Sequence, residues 1–121
     1  MKTLLKGGTV VNVFTDELQK ANVLIDGEKI AGVGDYSEED ADFVRDVSGK
    51  YICPGFIDGH IHIESTMMLP AEFARAAVLH GTSAVVADPH EIANVCGGDG
   101  IEFMLEASEG LPLDVYIMVP S

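Results

Sequence analysis

The sequence predicts an α/β protein in two parts: a small all-β unit over residues 1–52, then a β-α-β-α-β run over residues 53–121. Short strands broken by Gly and Asp-Gly turns mark the first part. The hydrophobic period changes near Tyr51. Beyond it, wholly apolar β-branched segments alternate with helical ones, the pattern of parallel strands buried on both faces.

In the first part, Leu4-Leu5 and residues 9–13 read as strands flanking a Gly7-Gly8 turn. Residues 21–25, the Asp26-Gly27 turn and residues 29–34 form a hairpin, because Asp-Gly suits the two-residue turn that joins antiparallel strands. Residues 36–42 are an acidic, exposed connection. Residues 43–47 are a further strand, with Ser48-Gly49-Lys50 as its turn. An antiparallel unit is expected.

In the second part, residues 57–63 are a strand and residues 70–80 a helix, with Pro70 in its first turn and Gly81 past its end. Residues 82–87 are a strand. Residues 99–108 are a helix with Ile101, Met104 and Leu105 on one side, and residues 113–119 are the third strand. Three strands and two helices cannot close a parallel barrel, which takes eight units and about 250 residues. The expectation is therefore an incomplete (β/α)8 barrel at the N-terminal end of a larger protein, its last strand a bare edge. The alternative is a small three-stranded domain complete as written.

Composition narrows the function. The chain has 121 residues, 47% of them apolar, enough for a globular core. It carries 20 acidic and 7 basic residues, a charge of -13, which disfavours nucleic acid or an anionic membrane as partner. Six of the seven basic residues lie in positions 1–50, and all four histidines lie after them with Arg75 alone. Such a half suits divalent metals. No secretory signal or transmembrane run is visible, and Cys53 and Cys96 read as reduced core residues, so a cytoplasmic setting is expected.

His60-Ile61-His62 is the main chemical feature. In a strand, side chains two apart share a face, so both imidazoles reach one point where they can hold a metal. Asp58 has the same phase and either orients an imidazole or caps a turn. Glu64 keeps that phase if the strand runs on, a candidate to act on substrate or metal, while Ser65 or Thr66 can cap the next segment. Asp88, His90 and Glu91 follow the second strand, on the rim where parallel α/β proteins build their sites. They are candidates to bind substrate, ligate a metal or move protons, against the alternative of a solvated loop. Glu64 and Glu91 are the candidate catalytic carboxylates. His80 reads as a helix-end residue, and Met67, Met68 and Met104 as packing. No P-loop, no G-x-S-x-G elbow and no H-x-E…P-C-x-x-C deaminase signature is present.

The run Pro54-Gly55-Phe56-Ile57-Asp58-Gly59-His60-Ile61-His62 resembles the amidohydrolase superfamily, and residues 23–34 resemble its small β-sandwich. His60-Ile61-His62-Ile63-Glu64-Ser65-Thr66-Met67-Met68, residues 85–95 and residues 100–106 are similar to the bacterial-type adenine deaminase family within it. The resemblance implies a metal-bearing (β/α)8 barrel beside a sandwich built from both chain ends, with residues 1–52 in the sandwich and 53–121 opening the barrel. It implies hydrolysis of adenine to hypoxanthine and ammonia by a hydroxide held at a binuclear manganese or iron centre, zinc being the alternative metal. His60 and His62 would ligate one ion. The bridging acid, two further histidines and the catalytic aspartate of that family lie on later strands, so the 121-residue chain is expected to be inactive alone; its open strand faces and edges are expected to make it an oligomer or poorly soluble. The competing readings are another cyclic amidohydrolase, of the deacetylase or dihydroorotase kind, and a non-catalytic oligomerising piece.

Overall fold

Seven strands build the unit Met1–Pro54: β1 (Lys2–Lys6), β2 (Thr9–Asn12), β3 (Glu17–Lys20), β4 (Asn22–Asp26), β5 (Lys29–Gly34), β6 (Phe43–Asp46) and β7 (Tyr51–Ile52). They are seen in a computed structural model that describes residues 1–119; the last two residues of the predicted 53–121 segment lie outside it. The strands form a four-stranded sheet in the order β5-β4-β1-β6 and a three-stranded sheet in the order β3-β2-β7. The Asp26-Gly27 hairpin forms as expected, with Asp26 opposite Lys29 and Gly27 at φ 60°.

The unit is not wholly antiparallel, which corrects the sequence reading. β1 pairs with β6 in parallel, and β2 pairs with β7 in parallel. The reason is that Gly7-Gly8 does not fold the chain back within one sheet. It is a corner that carries the chain from one sheet into the other. Residues 43–52 then take the same path alongside, β6 to β7, around Ser48-Gly49. The two corners nest closely: Gly7 has φ 79°, and a Cβ there would lie 2.4 Å from Ser48 Oγ. Only glycine meets both demands. Strand β3 was not anticipated. Its sequence Glu-Leu-Gln-Lys holds one apolar residue, and its turn from β2 passes through Asp16 at φ 57° in place of a glycine.

The second unit, from Gly55 onward, contains β8 (Phe56–Ile61), α1 (Pro70–Val78), β9 (Thr82–Ala87), α2 (His90–Cys96), α3 (Gly98–Ala107) and β10 (Asp114–Ile117). The three strands are parallel in the order β10-β9-β8, with Asp58 opposite Val85 and Val115 also opposite Val85. The core is Ile63, Phe73, Ala74, Val85, Ala87, Met104 and Leu113. Among the described residues, no helix is long and apolar enough to cross a membrane.

Four expectations need correction here. β8 ends at Ile61, and Glu64–Thr66 form a 3-10 turn, so Glu64 does not continue the strand phase. Residues 90–96, read as loop, are a helix. Burial on both faces describes β9, whereas β8 exposes Phe56 and Ile57 by 63% and 69%. Met67 and Met68 are exposed, as are Cys53 and Cys96; of the residues assigned to packing, Met104 alone is in the core.

Candidate metal centre

The carboxyl ends of β8 and β9 build the site. Pairing steps from Asp58–Val85 to Ile61–Ala87, so β8 spends one extra residue and bulges at Gly59-His60. Asp58 Oδ1 accepts the backbone N–H of His60 at 3.1 Å and so holds the bulged backbone; the recorded contact is to the main chain and not to an imidazole. The two strand ends are then tied by the Asp88 N–H, which donates to the Ile61 carbonyl at 2.9 Å.

His62 lies just past the strand, yet it still meets His60. Its Nδ1 lies 2.9 Å from the Asp88 carbonyl oxygen. A carbonyl only accepts, so Nδ1 carries the proton and Nε2 is left as a lone pair. That Nε2 lies 3.2 Å from His60 Nε2. Two nitrogens each about 2.0–2.1 Å from one ion at a tetrahedral angle lie roughly 3.4 Å apart, so this spacing fits a shared cation. The convergence comes from the bulge and the Asp88 carbonyl as much as from strand alternation.

Asp88 extends the site. Its Oδ2 lies 3.2 Å from His90 Nδ1, and the His90 ring stands edge-on to His62 with centroids 4.6 Å apart. Ser65 Oγ donates to Glu91 Oε1 at 2.5 Å, and the Ile92 N–H donates to Glu64 Oε1 at 3.3 Å. The 3-10 turn thus clasps the first turn of α2. Two sets of side chains bring ligand atoms within 4.8 Å of one another: His60, His62 and Asp88, and His62, His90 and Glu91. His80 belongs to neither; it is exposed at the end of α1.

The donor set fits a divalent cation. Asp88 Oδ1 and Glu64 Oε2 are buried and without a hydrogen-bond partner among the described residues. A buried, unpaired carboxylate oxygen is costly unless a donor or cation meets it. Arg75, the one Lys or Arg after residue 50, is paired with Glu72 and not with these carboxylates. Mixed imidazole and carboxylate donors suit zinc, iron or manganese. The sequence reading missed α2 and its clasp. The available signal was Asp88-Pro89-x-Glu91 before Ile92 and Ala93, an acid and a proline followed by a glutamate at helix-start spacing.

Residues 51–121 match the model of the Amidohydrolase family. The chain belongs to that family. Among curated amidohydrolase relatives, the adenine deaminase of Kosmotoga olearia is 52% identical over 118 residues, covering 98% of this chain and 20% of that protein. The adenine deaminases of Listeria welshimeri and Geobacillus kaustophilus are each 51% identical over the same coverage. The chain therefore spans about a fifth, 20%, of the length of these relatives. Among solved structures, a D-aminoacylase studied for its binuclear metal centre superposes with TM-score 0.74 at 27% identity, over 98% of this chain and 29% of that one. The dihydropyrimidinase of Brevibacillus agri superposes with TM-score 0.71 at 30% identity, over 98% and 27%.

Proposed function

We propose that this chain is the N-terminal part of a metal-dependent adenine deaminase, which converts adenine and water to hypoxanthine and ammonia. The metal-dependent reading rests on the His60 and His62 Nε2 atoms, 3.2 Å apart, with His62 held in the ligating tautomer. The substrate rests on the relatives, about half identical over 98% of the chain. His60 and His62 hold the ion, manganese or iron with zinc as the alternative, and Asp88 is within reach of the same point. The ion supplies Lewis acidity for the activation of water. Asp88, His90 and Glu91 face the substrate and take its N–H groups. Glu64 and Glu91 are the carboxylates that take up and return a proton. Asp58 shapes the bulge that presents His60.

In this reading residues 53–121 are the opening of a (β/α)8 barrel, and residues 1–52 belong to the family's β-sandwich. The 121-residue chain has no deaminase activity alone, because it lacks the bridging acid, the two further histidines and the catalytic aspartate that the family resemblance places on later strands. The bare β8 edge, with Phe56 and Ile57 exposed, favours self-association of the isolated chain. The setting is cytoplasmic.

The test is ammonia release from adenine by the full-length protein supplied with manganese or iron, and its loss in His60→Ala or His62→Ala. The dihydropyrimidinase likeness, at 30% identity, favours a second reading as a cyclic-amide hydrolase. A full-length protein inert on adenine but active on a cyclic amide would select that reading.

A further inference from the structure

We propose that Asp88 is the positioning residue of this site, fixing the tautomers of His62 and His90 together but through different atoms. The Asp88 carbonyl takes the His62 Nδ1 proton at 2.9 Å. The Asp88 carboxylate lies 3.2 Å from His90 Nδ1, and an ionised carboxylate only accepts, so it takes that proton as well. Both rings are thereby set with Nδ1–H and with Nε2 as an acceptor. His62 then presents a lone pair to the cation, and His90 presents one to a donor hydrogen or cation of the ligand. The two rings stand edge-on at 4.6 Å, so one residue at the end of β9 sets the polarity of a contiguous pair.

The two anchors differ in kind. The His62 anchor is main chain and survives any substitution of Asp88 that keeps the backbone. The His90 anchor is side chain and does not. The backbone carbonyl is in turn held in place because the Asp88 N–H is bonded to Ile61. The proposal rests on the metal-site reading only for the use made of the His62 lone pair; the tautomers themselves are independent of it.

The experiment is long-range proton–nitrogen NMR of the imidazoles in the metal-free 121-residue chain, at about pH 8.5 where free imidazoles are neutral. Signals are assigned with His60→Gln, His62→Gln and His90→Gln. The unsubstituted chain is expected to show both His62 and His90 as Nδ1–H. Asp88→Ala is expected to move His90 toward the Nε2–H form and leave His62 unchanged. Asp88→Asn, which keeps an accepting oxygen, is expected to restore His90 to Nδ1–H. The proposal is overturned if His90 in the unsubstituted chain is Nε2–H, if Asp88→Ala leaves His90 unchanged, or if it moves His62 equally. Should Asp88→Ala lose its fold by circular dichroism, the unsubstituted chain and Asp88→Asn decide. Tautomers as expected in a full-length protein inert on adenine would sink only the substrate reading. Wrong tautomers in an active deaminase would sink only this one.

Discussion

The two units balance charge in different ways. In Met1–Pro54, charges meet one another on the surface: Lys6 bonds Glu38 at 2.6 Å and the N-terminal amine lies 3.7 Å from Asp26. From Gly55 onward, Asp88 and Glu91 cluster with His60, His62 and His90, and among the described residues no Lys or Arg of this unit is paired with them. Both pairs of the first unit are formed between groups of that unit. The cluster of the second is an incomplete polar network, and such networks are tolerated where a ligand completes them. The contrast is between exposed pairs that contribute little to stability and a partly buried cluster that, on the proposed reading, serves binding.

The largest expected effect tests that assignment directly. In the full-length protein, the proposed reading expects His62→Ala to lower divalent-metal affinity at least about tenfold and abolish turnover, since there it removes a ligand and not merely a neighbour of one. Equilibrium dialysis with metal analysis checks the affinity. Retained stoichiometric metal with full activity would break the comparison.

Next is the core of the second unit. Leu113 and Met104 are both 2% exposed, and replacing either by Ala should cost about 2–5 kcal/mol. Amide hydrogen exchange should show faster opening in β9 and unchanged protection in β1 and β4. Equal loss in both units would mean that they unfold as one.

A smaller effect is expected at the nested corners. Gly7→Ala should destabilise by about 1–3 kcal/mol, because it forces φ 79° on an L residue and drives Cβ into Ser48. Gly27→Asn should cost less, since a Cβ there would meet no atom beyond its chain neighbours within 4 Å and Asn tolerates φ 60°. Urea titrations of the two variants give the order, and the reverse order would contradict the corner's role.

The smallest effect concerns the exposed charges of the first unit. The Glu38 hydrogen bond, and then its charge, raise the Lys6 pKa above its ordinary 10.5. That contribution is present below 10.5 and lost as pH rises through the raised value. The Ser48 hydroxyl, and then its backbone N–H, lower the Asp46 pKa below its ordinary 3.8. That contribution is present above 3.8 and lost as pH falls through the lowered value. Both groups are exposed, so the stability change should be slight and should shrink in salt. A steep transition at either end, insensitive to salt, would assign it to other groups.

Legibility in the sequence follows the range of the interaction. Strand β9, the Asp26-Gly27 hairpin and the His60-His62 pair were readable because their signals are local: β-branched runs, a turn dipeptide, a two-residue spacing. Strand direction in the first unit was not, because a glycine corner and a glycine hairpin look alike until the partner strand is known. The end of β8 was hidden by Ile63, which continues the apolar run but turns into the core. Asp88 was picked out for its carboxylate. Its backbone carbonyl, which anchors His62, carries no side-chain signature and could not have been picked out.

The parallel pairings also bear on the order in which the chain can be assembled. Thr3 pairs with Phe43 and Thr9 with Tyr51, so β1 and β2 await partners 40 and 42 positions later. Closing loops of that length must precede the contacts that reward it. On the ribosome, β1 and β2 emerge early as exposed apolar segments and stay unmatched on one side until residue 52 has cleared the tunnel. Chains halted before that point should be the species most prone to capture by chaperones, whereas the β4–β5 hairpin can already have formed.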